Sequence, residues 1–219
     1  MKKIMTNRFV LDALAAALLL GSLSACIPLV VGGAMVGGTL IANDRRTSGS
    51  QLEDEGIELR SSSRIRSNVG DRVHVNANSY NRQVLLTGEV PSAQDKLLVE
   101  QIVAKVENVT SVVNELAVMG NSTLTQRSSD VLVTGRVRAM LVDAKDLFAN
   151  SFRVVTERGT TYMMGRVTQR EADRGTAVAR GTPGVQKVVR IFEIISEDEL
   201  PRQLPTPVRP PVANPATSN

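Results

Sequence analysis

Very few side chains in this sequence can make or break a covalent bond. One cysteine, Cys26, and one histidine, His74, are present among 219 residues. A single cysteine excludes a disulfide within the chain, and one Cys with one His is too few for a zinc site of the Cys/His type. The carboxylates are scattered, and no phosphate-cradling glycine loop precedes a lysine. No catalytic set can be assembled from them, so the sequence predicts a protein that is not an enzyme and uses neither metal nor cofactor. His74 is expected on a strand, exposed. Aromatic residues make up 3% and tryptophan is absent, which removes the stacking platforms that nucleobases need. The formal net charge of +4 names no partner by itself.

Only Cys26 sits in surroundings that give it a reaction. Lys2, Lys3 and Arg8 form a basic start, Ala13 to Leu20 a short apolar run, and small residues follow up to Cys26. That is the order of a secretory signal, with an apolar core too short to span a bilayer. The last four residues, "LSAC", resemble the lipobox of bacterial lipoproteins. The resemblance implies diacylation of the Cys26 sulfur, cleavage after Ala25 and acylation of the new amino terminus. Ile27, where an aspartate would retain the protein, implies transfer to the outer membrane facing the periplasm. Several acyl chains at ~0.8 kcal/mol per buried methylene make a firm anchor. The alternative is an ordinary exported protein with a cysteine near its cleavage site. Either way, export separates the protein from nucleic acid. Residues 27–42 are apolar but broken by Gly32, Gly33, Gly37 and Gly38, and read as a membrane-proximal segment. The polar run "NDRRTSGSQ" at 43–51 reads as a linker, which sets 1–25 as signal and 26–53 as anchor segment and linker.

The rest of the chain says nearly the same thing twice. "VLLTGEV" at 84–90 aligns with "YMMGRV" at 162–167 when Gly88 is set on Gly165. Upstream, Val75, Ala77 and Ser79 alternate as Phe152, Val154 and Thr156 do. A polar turn then joins each to a second strand, giving a hairpin. Helices follow, with Leu98, Ile102 and Val106 at helical spacing in the first copy. Alternating strands close the copies at Val112, Asn114, Leu116 and Val118, and at Val188, Arg190, Phe192 and Ile194. Helices open them around 54–69 and 130–144. The predicted unit is α-β-β-α-β, duplicated as two compact modules.

The pattern "V-x-L-x-G-x-V … GV-x-x-V-x-N-x-L-x-V" resembles the BON domain of bacterial envelope proteins. Val84, Leu86, Gly88, Val90, Val109, Val112, Asn114, Leu116 and Val118 carry it in the first copy. Gly165, Val167, Gly184, Val185 and Val188 carry it in the second. Asn108 stands where the first copy should have glycine, and Arg190 where the second should have asparagine. The resemblance implies an α/β (α+β) chain of two tandem BON modules, 54–119 and 127–195, each a small mixed three-stranded sheet on two helices. It also implies an envelope-integrity role at division sites, with partners in outer-membrane protein assembly or cell-wall amidase control. Residues 196–219 are proline-rich and read as a disordered tail.

Charge separates the copies. Residues 54–119 hold seven basic and nine acidic residues, a net −2, whereas 127–195 hold twelve and seven, a net +5. A basic module tethered beside a bilayer favours an anionic phospholipid membrane; the other reading is a solvated basic surface. In the first helix of the second copy, capped by Ser129 or Asp130, the core stripe is expected to be Val133, Val137, Met140, Leu141 and Ala144. Leu132 and Arg136 lie on a neighbouring face with Val131 and Arg138, and these four residues are the candidate lipid contacts, apolar tips beside guanidinium groups. Leu132 in the core or in a contact between modules is the alternative. The matching helix "EGIELRSSSRIRSNV" is serine-rich and is expected to offer no apolar tip. Period two turns Tyr162 and Met164, and Leu85 and Thr87, to the sheet face away from the helices. Tyr162, Met164 and Leu85 are therefore candidates for an inter-module or partner face, and a protein-interaction scaffold without direct lipid recognition is the rival to lipid binding.

Cys26→Ser is expected to abolish metabolic labelling by fatty acid and to release the protein from membranes or leave an uncleaved precursor. Labelling that persists in this variant would refute the lipobox.

Overall fold

The computed structural model describes residues 44–200, which fall within one compact unit. Cys26, the glycine-rich segment and the proline-rich tail lie outside the described residues. The first module runs α1 (Ser48–Val69), β1 (His74–Tyr80), β2 (Gln83–Val90), α2 (Ala93–Ala104), β3 (Ser111–Asn114) and β4 (Ala117–Val118). The second runs α3 (Leu124–Asp143), β5 (Phe152–Glu157), β6 (Thr160–Thr168), α4 (Gln169–Arg180) and β7 (Lys187–Ile195). In each sheet the long second strand is central: antiparallel to the first by a hairpin, parallel to the last through the crossover helix. The closing strand of the first module is interrupted at 115–116, whereas β7 is continuous.

The repeated glycine allows the strands to come together. Gly88 faces Val75, and Gly165 faces Phe152. A Cβ on Gly88 would collide with the carbonyl oxygen of His74, and one on Gly165 with that of Ser151. Both hairpins turn on two residues with positive φ, Asn81–Arg82 and Arg158–Gly159, the requirement of a tight type I′ turn. A helix carboxylate clamps each turn. Asp54 of α1 accepts from the Asn81 and Arg82 N–H groups at 2.8 Å each, and Asp130 of α3 from Arg158 and Gly159 at 2.7 and 3.0 Å.

Both departures from the family pattern keep its geometry. Asn108 takes a positive φ of 66°, as Gly184 does in the second copy, a conformation asparagine tolerates better than most residues. Asn114 donates to Lys96 O and Glu100 Oε2 on α2, while Arg190 pairs with Asp173 on α4 at 2.9 Å. Different chemistry thus ties the last strand to the crossover helix in each copy.

Each module has its own core between sheet and helices: Ile57, Val84, Leu86, Val99 and Val103 in the first, Val137, Leu141, Val154, Met163 and Val167 in the second. A third cluster joins them. Tyr80 and Leu85 from one sheet meet Tyr162, Met164 and Ile191 from the other. Arg153 frames this seam, pairing with Glu58 at 2.7 Å, and the Arg166 N–H donates to the Tyr80 hydroxyl at 3.3 Å. Burial pushes both tyrosine hydroxyls up to about 12.

Several expectations are corrected. Within the run read as a linker, residues 44–47 form a docked strap and 48–51 already belong to α1. Arg45 is buried and forms a two-pronged pair with Glu171 of α4 at 2.7 Å. Arg46 pairs with Asp54 and lies 4.3 Å over the Tyr80 ring, and Thr47 caps α1, which therefore starts at Ser48. Helix α3 starts at Leu124, capped by Thr123 and Gln126 in a reciprocal box; Asp130 clamps the hairpin, so neither it nor Ser129 is the cap. Met140 is 45% exposed because Val133, Val137 and Leu141 fill the buried row. On α2 that row is Asp95, Val99 and Val103, which leaves Leu98 exposed.

Asp54→Ala removes the acceptor of both turn N–H groups and should cost about 3 kcal/mol of unfolding free energy, read from urea midpoints; an unchanged midpoint would mean that the turn holds itself. Burial raises the Asp54 carboxyl, but hydrogen bonds from Ser79, Arg82, Arg46 and Asn81 outweigh it and hold it below its ordinary 3.8. Its stabilising contribution is complete above 3.8 and is lost as pH falls through the lower folded value. Asp54→Asn should remove that part of the acid sensitivity.

Candidate functional site

Two places hold chemistry that the folding of the modules does not use. The first is the outer face of α3. The capping box at Thr123 and Gln126 extends this helix by two turns beyond the expected start and brings Leu124 and Arg127 onto it. With Val133, Val137 and Leu141 inward, the opposite face exposes Leu124 by 80%, Val131 by 70%, Leu132 by 62% and Val142 by 67%. Gly135 and Ala139 lie among them and keep the surface low. Between Leu124 and Val142 the only carboxylate is Asp130, and it is buried in the turn clamp.

The four candidate lipid contacts divide between the flanks of this face. Val131 and Arg138 border a cleft of about 370 Å³ at the junction with the first module, shared with Arg127, His74 and Glu157. The Arg138 guanidinium donates to Val154 O at 3.1 Å. Leu132 and Arg136 lie to the other side, where Arg136 reaches Pro183 O at 3.5 Å. Leu132 belongs neither to the core nor to the seam. Guanidinium groups therefore border the apolar strip on both sides. The corresponding helix of the first module corrects one expectation: α1 does carry apolar tips, with Leu59 73% exposed and Leu52 beside it. An exposed carboxylate, Glu55, stands between them, so the two helices differ in charge as well as in how many apolar tips they expose.

The other candidates, Tyr162, Met164 and Leu85, are brought together in the seam and covered there. No free surface is left at these side chains for another protein.

The second place is the end of that seam. His74 is half-buried rather than exposed, because its Nδ1 lies 2.9 Å from Glu89 Oε2. Ser122 donates to the same oxygen through its N–H and its hydroxyl at 3.1 and 3.0 Å. Burial alone would raise the Glu89 carboxyl, but the Ser122 N–H, His74 and the Ser122 hydroxyl together bring it below the usual range. Glu157, from the second module, is held above that range by burial, which outweighs the attraction of His74 and the hydrogen bond from Asn76, with smaller repulsions from Glu89 and Asp130 adding to it. The carboxylates are therefore not all scattered. The signal for this gathering was Leu85, Thr87 and Glu89 at period two, which turns an acid onto the covered sheet face. Nothing in the first copy alone points to Glu157.

Comparison with known proteins follows the duplication. The model of the BON domain matches residues 53–120 and 129–195. Over 185 residues the chain is 34% identical to outer membrane lipoprotein DolP of Haemophilus influenzae, covering 82% of this chain and 95% of that protein. It is 27% identical over 154 residues to a 21 kDa hemolysin of Actinobacillus pleuropneumoniae, covering 69% and 79%. The C-terminal domain of CdsD, a structural protein of the type III secretion system of Chlamydia trachomatis, aligns with 69% of this chain and 100% of its own at 14% identity. Its TM-score is 0.27, too low to bear on fold or function. Two matched modules, the shared strand glycines and a relative one-third identical along most of its length place this chain in the BON-domain family.

Proposed function

We propose that the protein is an outer-membrane lipoprotein, anchored through Cys26 and facing the periplasm, whose second BON module docks on anionic phospholipid through α3. The observation that carries this reading is the exposed strip Leu124, Val131, Leu132 and Val142, bordered by Arg127 and Arg138 on one side and Arg136 on the other. Apolar tips of that kind bury at the headgroup–acyl boundary while guanidinium groups pair with phosphate. A tether at the amino terminus would keep the module beside the surface, and each well-placed arginine adds ~1 kcal/mol on an anionic leaflet. The name of the Haemophilus relative supports the location. Among the described residues no helix is long and apolar enough to cross a membrane, which fits contact at the surface. By this reading the protein binds rather than catalyses. It supports envelope integrity at division sites, with outer-membrane protein assembly or amidase control downstream. The rival scaffold reading loses the sheet face it would use, since Tyr162, Met164 and Leu85 are spent on the seam, and is left with the proline-rich tail.

Because the modules share buried side chains, the test uses both together. The soluble fragment 43–219 is expected to co-sediment with vesicles containing phosphatidylglycerol and much less with neutral ones, and added salt should weaken it. Leu132→Glu and Arg136→Glu should each weaken that binding by at least about tenfold, a change of 1.4 kcal/mol, with the melting temperature unchanged. Ser62→Glu on α1 should have little effect. Equal binding to neutral and anionic vesicles, or no binding, would contradict the lipid reading.

A further inference from the structure

His74 and Glu89 come from β1 and β2 of the first module, Glu157 from β5 of the second. One ring nitrogen of the histidine and one carboxylate oxygen of each glutamate lie within 4.8 Å of one another, and no other three such side chains gather this way among the described residues. We propose that this cluster is a zinc site that ties the two modules together. It is independent of the lipid reading.

The donors are of the right kind. Imidazole nitrogen with two carboxylate oxygens is a ligand set that zinc accepts, and a fourth position is left for water. Tetrahedral zinc with bonds of 2.0–2.2 Å needs donor atoms about 3.3 Å apart, a contraction that rotation of the two carboxylates can supply. One carboxylate of the cluster has an oxygen without a hydrogen-bond partner. Glu89 is fully buried; its Oε2 is met by His74 and twice by Ser122, but its Oε1 has no hydrogen-bond partner. The Arg158 guanidinium stands 3.9 Å from that oxygen, an ion pair too long to be a hydrogen bond. A buried carboxylate oxygen left in this state is costly, and two buried glutamates side by side add repulsion. A dication satisfies both. The surroundings also resemble a ligand shell: Asn76 donates to Glu157 Oε2 at 3.1 Å, and Ser122 fixes the Glu89 carboxylate, the kind of outer support that orients metal ligands. His74 and Glu157 border the 370 Å³ cleft beside α3, which gives the ion a way in.

Because the ligands come from both modules, the ion would bind the assembled pair and stabilise it by mass action. The test uses the full-length chain in detergent with Cys26→Ser, which removes the only thiol, after stripping with a chelator. Zinc chloride titrated by calorimetry should show one site per chain, and the melting temperature should rise with zinc. His74 is the only histidine, so one imidazole signal in the nitrogen–proton NMR spectrum reports the site without any variant, and it should shift at one equivalent. Glu157→Gln and Glu89→Gln should each weaken binding at least tenfold, while Glu197→Gln at the far end of the chain should not. Failure of the His74 signal to move, or equal affinity in Glu157→Gln, overturns the site.

Discussion

A three-stranded sheet with helices on one side has a second side that must be covered, and the whole arrangement follows from how this chain covers it. The free faces of the two sheets are closed against each other. Tyr80 and Leu85 fill one half of the seam and Tyr162, Met164 and Ile191 the other. Once the sheets are joined, their helices are left on the outside of the pair. The burial of five large side chains is thus also what leaves α3 with an unpartnered outer face. The strap at Arg45 and Arg46 tightens the joint, because the residues leading into the first module are paired with Glu171 of the second and stacked on Tyr80.

Duplication kept the means of folding and let the surfaces diverge. Gly88 and Gly165 allow the same close strand approach, and Asp54 and Asp130 clamp the same turn. The exposed faces of α1 and α3 then differ in one respect that matters at a membrane. Glu55 divides Leu52 from Leu59, whereas nothing acidic is exposed between Leu124 and Val142. A carboxylate at an anionic surface repels, so apolar tips beside Glu55 are worth less there than those of α3.

The sheet topology was legible because period two is robust. The alternation of Val84 and Leu86 against Leu85 assigned both faces of β2 correctly, and the aligned glycines fixed the register of the second copy. Helix faces were harder. On α2 the apolar residues Leu97, Leu98, Val99, Ile102 and Val103 fit two neighbouring rows, and only packing against the sheet selects Val99 and Val103. Asp130, like Ser129, has the chemistry of a cap, but a carboxylate buried under a turn serves the turn. Arg45 and Arg46 lie in a polar run that has the composition of a linker, and the partner of Arg45, Glu171, is distant in sequence. The approach of His74 and Glu89 to Glu157 depends on the seam itself, which no local pattern encodes.

In the proposed docking, the second module, and within it the outer face of α3, is the surface that meets the membrane. Spin labels placed in the soluble fragment at Ala139 on α3 and at Ser62 on α1 report the depth of each helix directly. On vesicles containing phosphatidylglycerol, the label at Ala139 should become shielded from a water-soluble nickel complex and open to oxygen, while the label at Ser62 stays as accessible to nickel as in free solution. A label at Ala139 that remains in water when the protein is bound, or one at Ser62 that sinks as deep, would contradict it.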